Sequence, residues 1–563
     1  MGRTVSIGNQ SFEDIREKNV FYIDKTGFIR EWWENQDSVT LITRPRRFGK
    51  TLNMNMLDCF FSNKYVGRAD LFEGLKIWEE EKYRKLQGTY PVIFVTFAGV
   101  KGIDYESTVK GIKKELAGVF DKFDFLRKFG DLTENELNAL KSVSENMSDI
   151  DAEYSLNLLS TLLAKYYKKK VLIFLDEYDT PMQEAYINGY WDKLTAFIRT
   201  MFNNTFKTNP SLDRAVLTGI TRVSKESIFS DLNNLEVITT TSKKYETCFG
   251  FTEEEVFTAI DEQGMDPAQK ELVKKWYDGF TFGKVADIYN PWSIISYLDK
   301  KEFNTYWANT SSNGLIGKLI REGDKNIKTD FEKLLNGDFI EAKIDEQIVF
   351  SQLSENIDAI WSLLLASGYL KVLEEVRSEG ALQYYKLILT NFEVKQMFLN
   401  LIESWFKQCG KFSDFVNALF AGDEIDLTEY MNDLMLRTFS SFDVPKDSND
   451  KKEPERFYHG LVLGLIVDRT KDYVVKSNRE SGYGRYDVVL EPKDIKDKGV
   501  IIEFKVLSRA RGEKTLEDTA ANALKQIEDK KYDTDLLSRG IPAENIIKYG
   551  FAFEGENCLI KRM

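Results

Sequence analysis

Two runs in this chain hold residue types suited to binding and cleaving phosphate esters. The first is Arg44-Pro45-Arg46-Arg47-Phe48-Gly49-Lys50-Thr51, set between an apolar strand-like run and a helical one. A glycine ahead of a helix lets backbone amides approach a phosphate, and the helix N-terminus attracts the anion. Lys50 would then reach the β- and γ-phosphates of ATP, and the Thr51 hydroxyl would ligate Mg²⁺. The full pattern places another glycine where this chain has Arg44. Arg44, Arg46 and Arg47 are expected to add positive charge beside the loop, so ATP binding is assigned to residues 44–51. A basic turn before an ordinary helix is the bland alternative.

The run Val171-Leu172-Ile173-Phe174-Leu175-Asp176-Glu177 is an apolar strand ending in two acids. It supplies what the loop lacks: Asp176 to hold Mg²⁺ through water and Glu177 to polarise an attacking water. A buried strand followed by a solvated loop would read the same in isolation. A third run, Leu217-Thr218-Gly219-Ile220-Thr221-Arg222, would place a neighbouring strand in the sheet. Thr218 or Thr221 could sense the γ-phosphate and Arg222 could act as an arginine finger. A strand followed by a surface arginine fits equally well.

The second phosphate-handling run lies near residue 500. Gly484-Arg485-Tyr486-Asp487-Val488-Val489-Leu490 puts one acid in an apolar strand, and Val500-Ile501-Ile502-Glu503-Phe504-Lys505 puts an acid and a lysine two apart on another. Period-two geometry points Glu503 and Lys505 to one face. A hairpin would bring Asp487 to both. Two carboxylates and the Phe504 carbonyl form an oxygen set for Mg²⁺. Lys505 could orient or deprotonate water and offset charge on a phosphodiester. The bare pattern also fits an edge strand with a solvated acid–base pair.

These residues need a scaffold. Apolar, β-branched runs at 38–43, 92–97, 171–175 and 215–220 alternate with helical runs at 49–61, 107–122, 152–169 and 182–206, which predicts a parallel α/β sheet. After Phe251 helices dominate, with strand-like pieces at 339–344, 369–376 and 384–389. A Pro/Asp/Asn/Ser/Lys-rich stretch at 444–455 reads as a linker. Beyond it, a helix at 457–469, strands at 473–477, 486–490 and 499–505, and a helix at 515–530 complete the pattern. The expected fold is α/β multidomain: a P-loop domain at 1–250, a helical lid at 251–340, a winged-helix-like connector at 341–450 and a small α/β domain at 451–563.

Composition bounds the function. The 563 residues carry a net charge of −13 and a single histidine, His459, which excludes sites needing two histidines. No apolar run approaches a membrane span and no signal peptide is read, so a cytoplasmic, membrane-free protein is expected. The four separated cysteines fit a reducing compartment. Acidity at first disfavours nucleic acid, yet residues 1–100 and 451–563 are each +2 and residues 101–450 hold −17.

Residues 1–250 resemble the AAA-ATPase-like family through Phe12-Glu13-Asp14-Ile15-Arg16, Phe21-Tyr22-Ile23-Asp24-Lys25-Thr26, the arginine-rich loop, Phe174-Leu175-Asp176-Glu177-Tyr178-Asp179 and Ser230-Asp231-Leu232-Asn233-Asn234-Leu235. In that family the loop usually keeps only its second glycine. The resemblance implies a regulatory ATPase of the signal-transduction type. It also implies adenine-side contacts near Tyr22 and a helical lid carrying Tyr277-Asp278-Gly279-Phe280 and Tyr289-Asn290-Pro291-Trp292-Ser293. Residues 455–563 resemble the PD-(D/E)xK nuclease superfamily, implying a restriction-endonuclease-like fold and a nucleic-acid partner, DNA or RNA. On that resemblance Glu455, His459, Gln526 and Tyr532 support the nuclease site, although the Gln–Tyr gap exceeds the common form. The expectation is an ATP-controlled, Mg²⁺-dependent nuclease, in defence or a mobile element. The alternative is a signalling ATPase whose C-terminal domain only binds nucleic acid or a protein partner.

Overall fold

The computed structural model describes residues 2–220, 228–229, 231–307, 317, 319–320, 325–344, 357–379, 382–408, 412–439, 462, 472–477, 480–481, 484–485, 487–509, 512–554 and 557–563. The chain forms two compact units, residues 1–319 with 337–395 and residues 320–336 with 396–563.

In the first unit, β1 (Val39–Thr43), β2 (Val92–Thr96), β3 (Val171–Asp176), β4 (Leu212–Gly219) and β5 (Leu235–Ile238) form a parallel sheet in the order β2-β3-β4-β1-β5. Alternation along each strand feeds two cores. Leu41, Ile173, Leu175 and Leu217 join one, while Ile42, Leu172, Phe174 and Val216 join the other. That explains why these strands read as unbroken apolar runs: both faces are covered by helices. The third run does sit next in the sheet, with β4 lying between the β1 and β3 strands that end in the phosphate loop and the paired acids.

The helix Lys50–Phe61 follows the loop as expected. The expected helix at 182–206 is a correction. It divides into Thr180–Asn188 and Trp191–Phe202, followed by a π-helical turn Asn203–Lys207. Gly189, at φ +80°, ends the first piece in the left-handed conformation that glycine adopts without strain.

A lid follows. Strands β6 (Phe251–Thr252), β7 (Phe280–Phe282) and β8 (Val285–Tyr289) pair antiparallel in the order β6-β8-β7. The helix Glu253–Glu262 opens with a Thr252 capping box, built by its Thr-Glu-Glu-Glu run. Asn290 caps the helix Pro291–Lys300, its side chain accepting from the Trp292 and Ser293 amides at 2.8 and 3.3 Å. The three short strand-like pieces become one antiparallel sheet, β9 (Ile340–Lys343), β10 (Leu370–Glu379) and β11 (Leu382–Leu389), in the order β10-β11-β9.

In the second unit, β12 (Tyr473–Ser477) leads to a small hairpin of β13 (Glu480–Ser481) and β14 (Gly484–Arg485). β15 (Val488–Pro492), β16 (Gly499–Val506), β17 (Ile546–Glu554) and β18 (Asn557–Arg562) follow. The main sheet has the order β12-β15-β16-β17-β18, and only the β16–β17 pair is parallel. The helix Leu516–Lys530 is capped by Thr515 and packs on this sheet. Sequence reading stopped before β17 and β18. The linker at 444–455 and, apart from residue 462, the helix at 457–469 lie outside the described residues.

Candidate functional sites

The phosphate loop joins β1 to the helix Lys50–Phe61 through two left-handed residues, Arg47 at φ 64° and Gly49 at φ 79°. Space around Gly49 is open, so its requirement is conformational. Lys50 is buried, and its Nζ donates to the Arg44 and Pro45 carbonyls at 2.9 and 2.8 Å. Burial pushes its pKa below the usual lysine value, while the nearby Glu177, Asp179 and Asp176 carboxylates favour the charged form.

Thr51 Oγ1 donates to Asp176 Oδ2 at 2.7 Å, so the two proposed Mg²⁺ ligands meet. Thr218 Oγ1 donates to the other oxygen, Oδ1, at 2.6 Å. Thr218 thus sits behind Asp176 as its orienter. Asp176 is fully buried, and burial raises its pKa above the ordinary carboxylate range. Glu177 is held at φ 51°, and it accepts from Thr180 Oγ1 at 3.2 Å. β4 comes close to this turn: a Cβ on Gly219 would lie 2.6 Å from the Tyr178 ring. The hydroxyl and carboxylate oxygens form a hard donor set that fits Mg²⁺ with a nucleotide phosphate.

The loop arginines behave differently from expectation. Arg44 does not add charge beside the loop, because its guanidinium is fully buried. It donates to the carbonyls of Thr43 (2.9 Å) and Thr239 (2.6 Å) and lies 4.4 Å from the Phe282 ring of the lid. An inward side chain needs no glycine, which is why arginine replaces the first glycine of the pattern. Arg47 lies 4.4 Å over the Trp292 ring, and Phe48 packs edge-on to Phe280 and Phe282. The Arg46 carbonyl accepts from Trp307 Nε1 at 3.0 Å, and its guanidinium donates to Gln183 at 3.1 Å. Four loop residues therefore engage lid or flanking aromatics. Sequence reasoning missed this role, although the density of aromatics at 277–307 facing a run of arginines was its visible signal.

A cavity of about 470 Å³ opens over the loop. Its lining includes the apolar Phe21, Tyr22, Ile23, Phe251 and Trp292 and the polar Lys50, Thr51, Glu177, Asp179 and Gln183. Tyr22, near which the resemblance implied adenine-side contacts, is among the lining residues. Its neighbours are structural: Asp24 caps the Thr26 amide at 2.9 Å, and buried Lys25 pairs with Glu255 of the lid at 2.6 Å. Thr221 and Arg222 lie outside the described residues.

In the second unit, the register Val488↔Ile502 extended by one residue sets Asp487 opposite Glu503, and the Phe504 amide donates to Asp487 Oδ2 at 2.8 Å. Opposed residues on adjacent strands lie about 4.5–5.5 Å apart, close enough for two carboxylates to share a small cation. Val488, Ile502 and Phe504 point into one core, and Val489 and Ile501 into the other with Leu524, Ile527 and Tyr532. Alternation therefore turns Asp487, Glu503 and Lys505 toward the face covered by the helix Leu516–Lys530.

Gln526 on that helix connects the site. Its Oε1 accepts from Lys505 Nζ at 2.7 Å. Its Nε2 donates to Glu503 and, at 3.1 Å, to the Tyr532 hydroxyl. The wide Gln–Tyr spacing is closed by the helix end. Lys531 adopts φ 51°, and the Tyr532 amide bonds back to the Ile527 carbonyl at 3.2 Å. Tyr532 is buried, and burial raises its pKa, with the Glu503 and Asp487 charges adding to the effect. Glu503 is only 3% exposed. A buried carboxylate facing a second one, both hard oxygen donors, fits a divalent cation such as Mg²⁺. Glu455 and His459 lie outside the described residues.

Comparison with known proteins accounts for both ends. Residues 6–229 match the predicted AAA-ATPase family, and residues 453–563 match the PD-(D/E)XK nuclease superfamily. The "Uncharacterized protein in vnfD 5'region" of Azotobacter chroococcum mcd 1 is 26% identical over 567 residues, 96% of this chain and 95% of its own. The crystal structure of a Signal Transduction ATPase with Numerous Domains (STAND) protein with a tetratricopeptide repeat sensor, from Pyrococcus horikoshii, aligns at 13% identity. That match covers 80% of this chain and 56% of the other, and its TM-score of 0.23 is too low to bear on the fold. Among the described residues, no helix is long and apolar enough to cross a membrane.

Proposed function

We propose that this chain, an AAA-ATPase-like region joined to a PD-(D/E)XK nuclease-superfamily region, is an ATP-binding regulatory ATPase that controls a Mg²⁺-dependent nuclease. Its substrate is a DNA or RNA phosphodiester, and the family resemblance suggests a setting in defence or a mobile element. The observation that carries the reading is the Gln526 amide, bonded at once to Glu503, Lys505 and Tyr532. A merely structural edge strand has no use for an acid, a lysine and a tyrosine gathered on one amide.

In the nuclease centre, Asp487 and Glu503 would hold Mg²⁺, which when bound supplies a Lewis acid for the phosphodiester oxygens. Lys505, steadied by Gln526, orients the attacking water and balances charge on the scissile phosphate. In the ATPase region, Thr51 and Asp176 would hold the nucleotide's Mg²⁺. The amides of Arg46–Gly49 and Lys50 cradle the phosphates, and Glu177 positions water.

Plasmid and single-stranded substrates incubated with Mg²⁺, with and without ATP, test this. Cleavage by wild type that is lost in Lys505→Ala, and ATP binding lost in Lys50→Ala, are the expected results. A wild type that binds nucleic acid or a partner and cuts nothing leaves the binding-only reading in its place. Nuclease activity indifferent to ATP and to Lys50→Ala removes the regulatory half.

A further inference from the structure

A cation that none of the sequence motifs accounts for lines the nucleotide cavity. Lys101 lies in the turn after β2 and lines the cavity with Glu177, Asp179, Gln183 and Glu184. Its backbone is fixed from both sides. β2 ends with Thr96 beside Asp176 in the register, and the Phe97 amide donates to the Asp176 carbonyl at 3.0 Å. Val100 is buried in the core, and its amide turns back onto the Phe97 carbonyl at 3.0 Å. The Gly102 carbonyl accepts from the Tyr190 hydroxyl at 2.7 Å. A Cβ on Gly102 would come within 2.2 Å of Thr108 Oγ1, so only glycine permits this approach. Between these two anchored neighbours Lys101 is exposed.

The sheet order sets what this cation meets. β4 and β3 lie between β1, which delivers the phosphate loop, and β2, which delivers Lys101. Phe21, Tyr22 and Trp292, which also line the cavity, offer aromatic surface suited to a nucleotide base. A phosphate chain starting at the loop and running over the ends of β4 and β3 brings its last phosphate toward Glu177 and the β2 turn. We infer that Lys101 contacts the γ-phosphate of ATP, so that it reports whether a triphosphate or a diphosphate is bound and offsets the charge on the γ-phosphoryl oxygens during hydrolysis. This rests on the ATP-binding reading above. Lys101 stays an ammonium throughout: it donates hydrogen bonds and transfers no proton.

The test uses the full chain with Mg²⁺ and fluorescent ATP and ADP analogues, alongside phosphate release from ATP. Lys101→Ala is expected to weaken ATP binding about tenfold and to lower turnover by about 10²–10³-fold, the range for losing one charge-stabilising donor. ADP binding should change by less than about twofold, which also shows that the variant is folded. Lys101→Arg should retain the preference for ATP. Equal losses for ATP and ADP overturn the inference, as does a Lys101→Ala protein with wild-type preference and turnover. A wild type that binds both nucleotides equally overturns the γ-phosphate role and leaves ATP binding standing. A wild type that binds neither overturns the ATP-binding reading itself.

Discussion

The two candidate sites are held in place by different means. The nucleotide loop is positioned by many partners: buried Arg44 on backbone carbonyls, Arg47 on Trp292, Phe48 on Phe280 and Phe282, and the Arg46 carbonyl under Trp307. In the C-terminal candidate site one side chain, Gln526, is a hub that reaches an acid, a lysine and a tyrosine. The first arrangement spreads its support over several contacts, and the second gathers three on one amide.

That contrast can be broken by experiment. The largest effect is expected from the reacting groups: Lys505→Ala or Glu503→Ala should lower cleavage by about 10²–10⁴-fold while ATP binding is unchanged. Gln526→Ala comes next. Loss of an orienting contact costs about 10–100-fold in metal affinity or activity, and Mg²⁺ titration by calorimetry reads the affinity directly. If Gln526→Ala cuts and binds Mg²⁺ like wild type, the hub description is wrong.

In the nucleotide loop the effects should be smaller and spread out. Arg44→Met leaves buried carbonyls without a donor, a cost of about 1–3 kcal/mol, seen as a lower melting temperature with nuclease activity retained. Trp292→Leu removes the partner of Arg47, worth about 0.5–2 kcal/mol, and should raise the KM for ATP several-fold at most. A complete loss of ATP binding in Trp292→Leu would mean that the loop also depends on a single contact.

The smallest effect is a pH dependence. Asp176 has its pKa raised by burial, so the folded state holds its proton more tightly than the unfolded chain does. Its contribution to stability is full below the ordinary carboxylate range and is lost as pH rises through the elevated native value. Asp176→Asn should therefore stabilise the protein slightly at neutral and alkaline pH and flatten that slope in thermal denaturation. The same variant should lose Mg²⁺-dependent ATP binding.

Much of this arrangement was legible in the residues. Strands β1 to β4 announced themselves because strands covered on both faces must be apolar throughout. The meeting of Thr51 with Asp176 could be read because spacing and element order fix where their side chains come together. Asp487, Glu503 and Lys505 were readable for the same reason, since strand alternation is local. Arg44 was misread because sequence shows a charge but not which way it points; only the carbonyls of Thr43 and Thr239 and the lid ring reveal that. The break at Gly189 was missed because the apolar spacing resumes on its far side, hiding a turn that one glycine makes. The Gln526–Tyr532 pair looked too widely spaced because the left-handed turn at Lys531 carries no sequence signal in a lysine.

The parallel pairing of β16 with β17 sets a timetable for the nuclease centre. Parallel neighbours need a crossover, and the helix Leu516–Lys530 that carries Gln526 is that crossover. Asp487, Glu503 and Lys505 leave the ribosome first and can pair as an early hairpin. The helix carrying Gln526 packs against β17 and β18 as well as β16, so its full seat exists only after those strands are made. A nascent chain therefore presents Asp487, Glu503 and Lys505 before the seat of Gln526 is built.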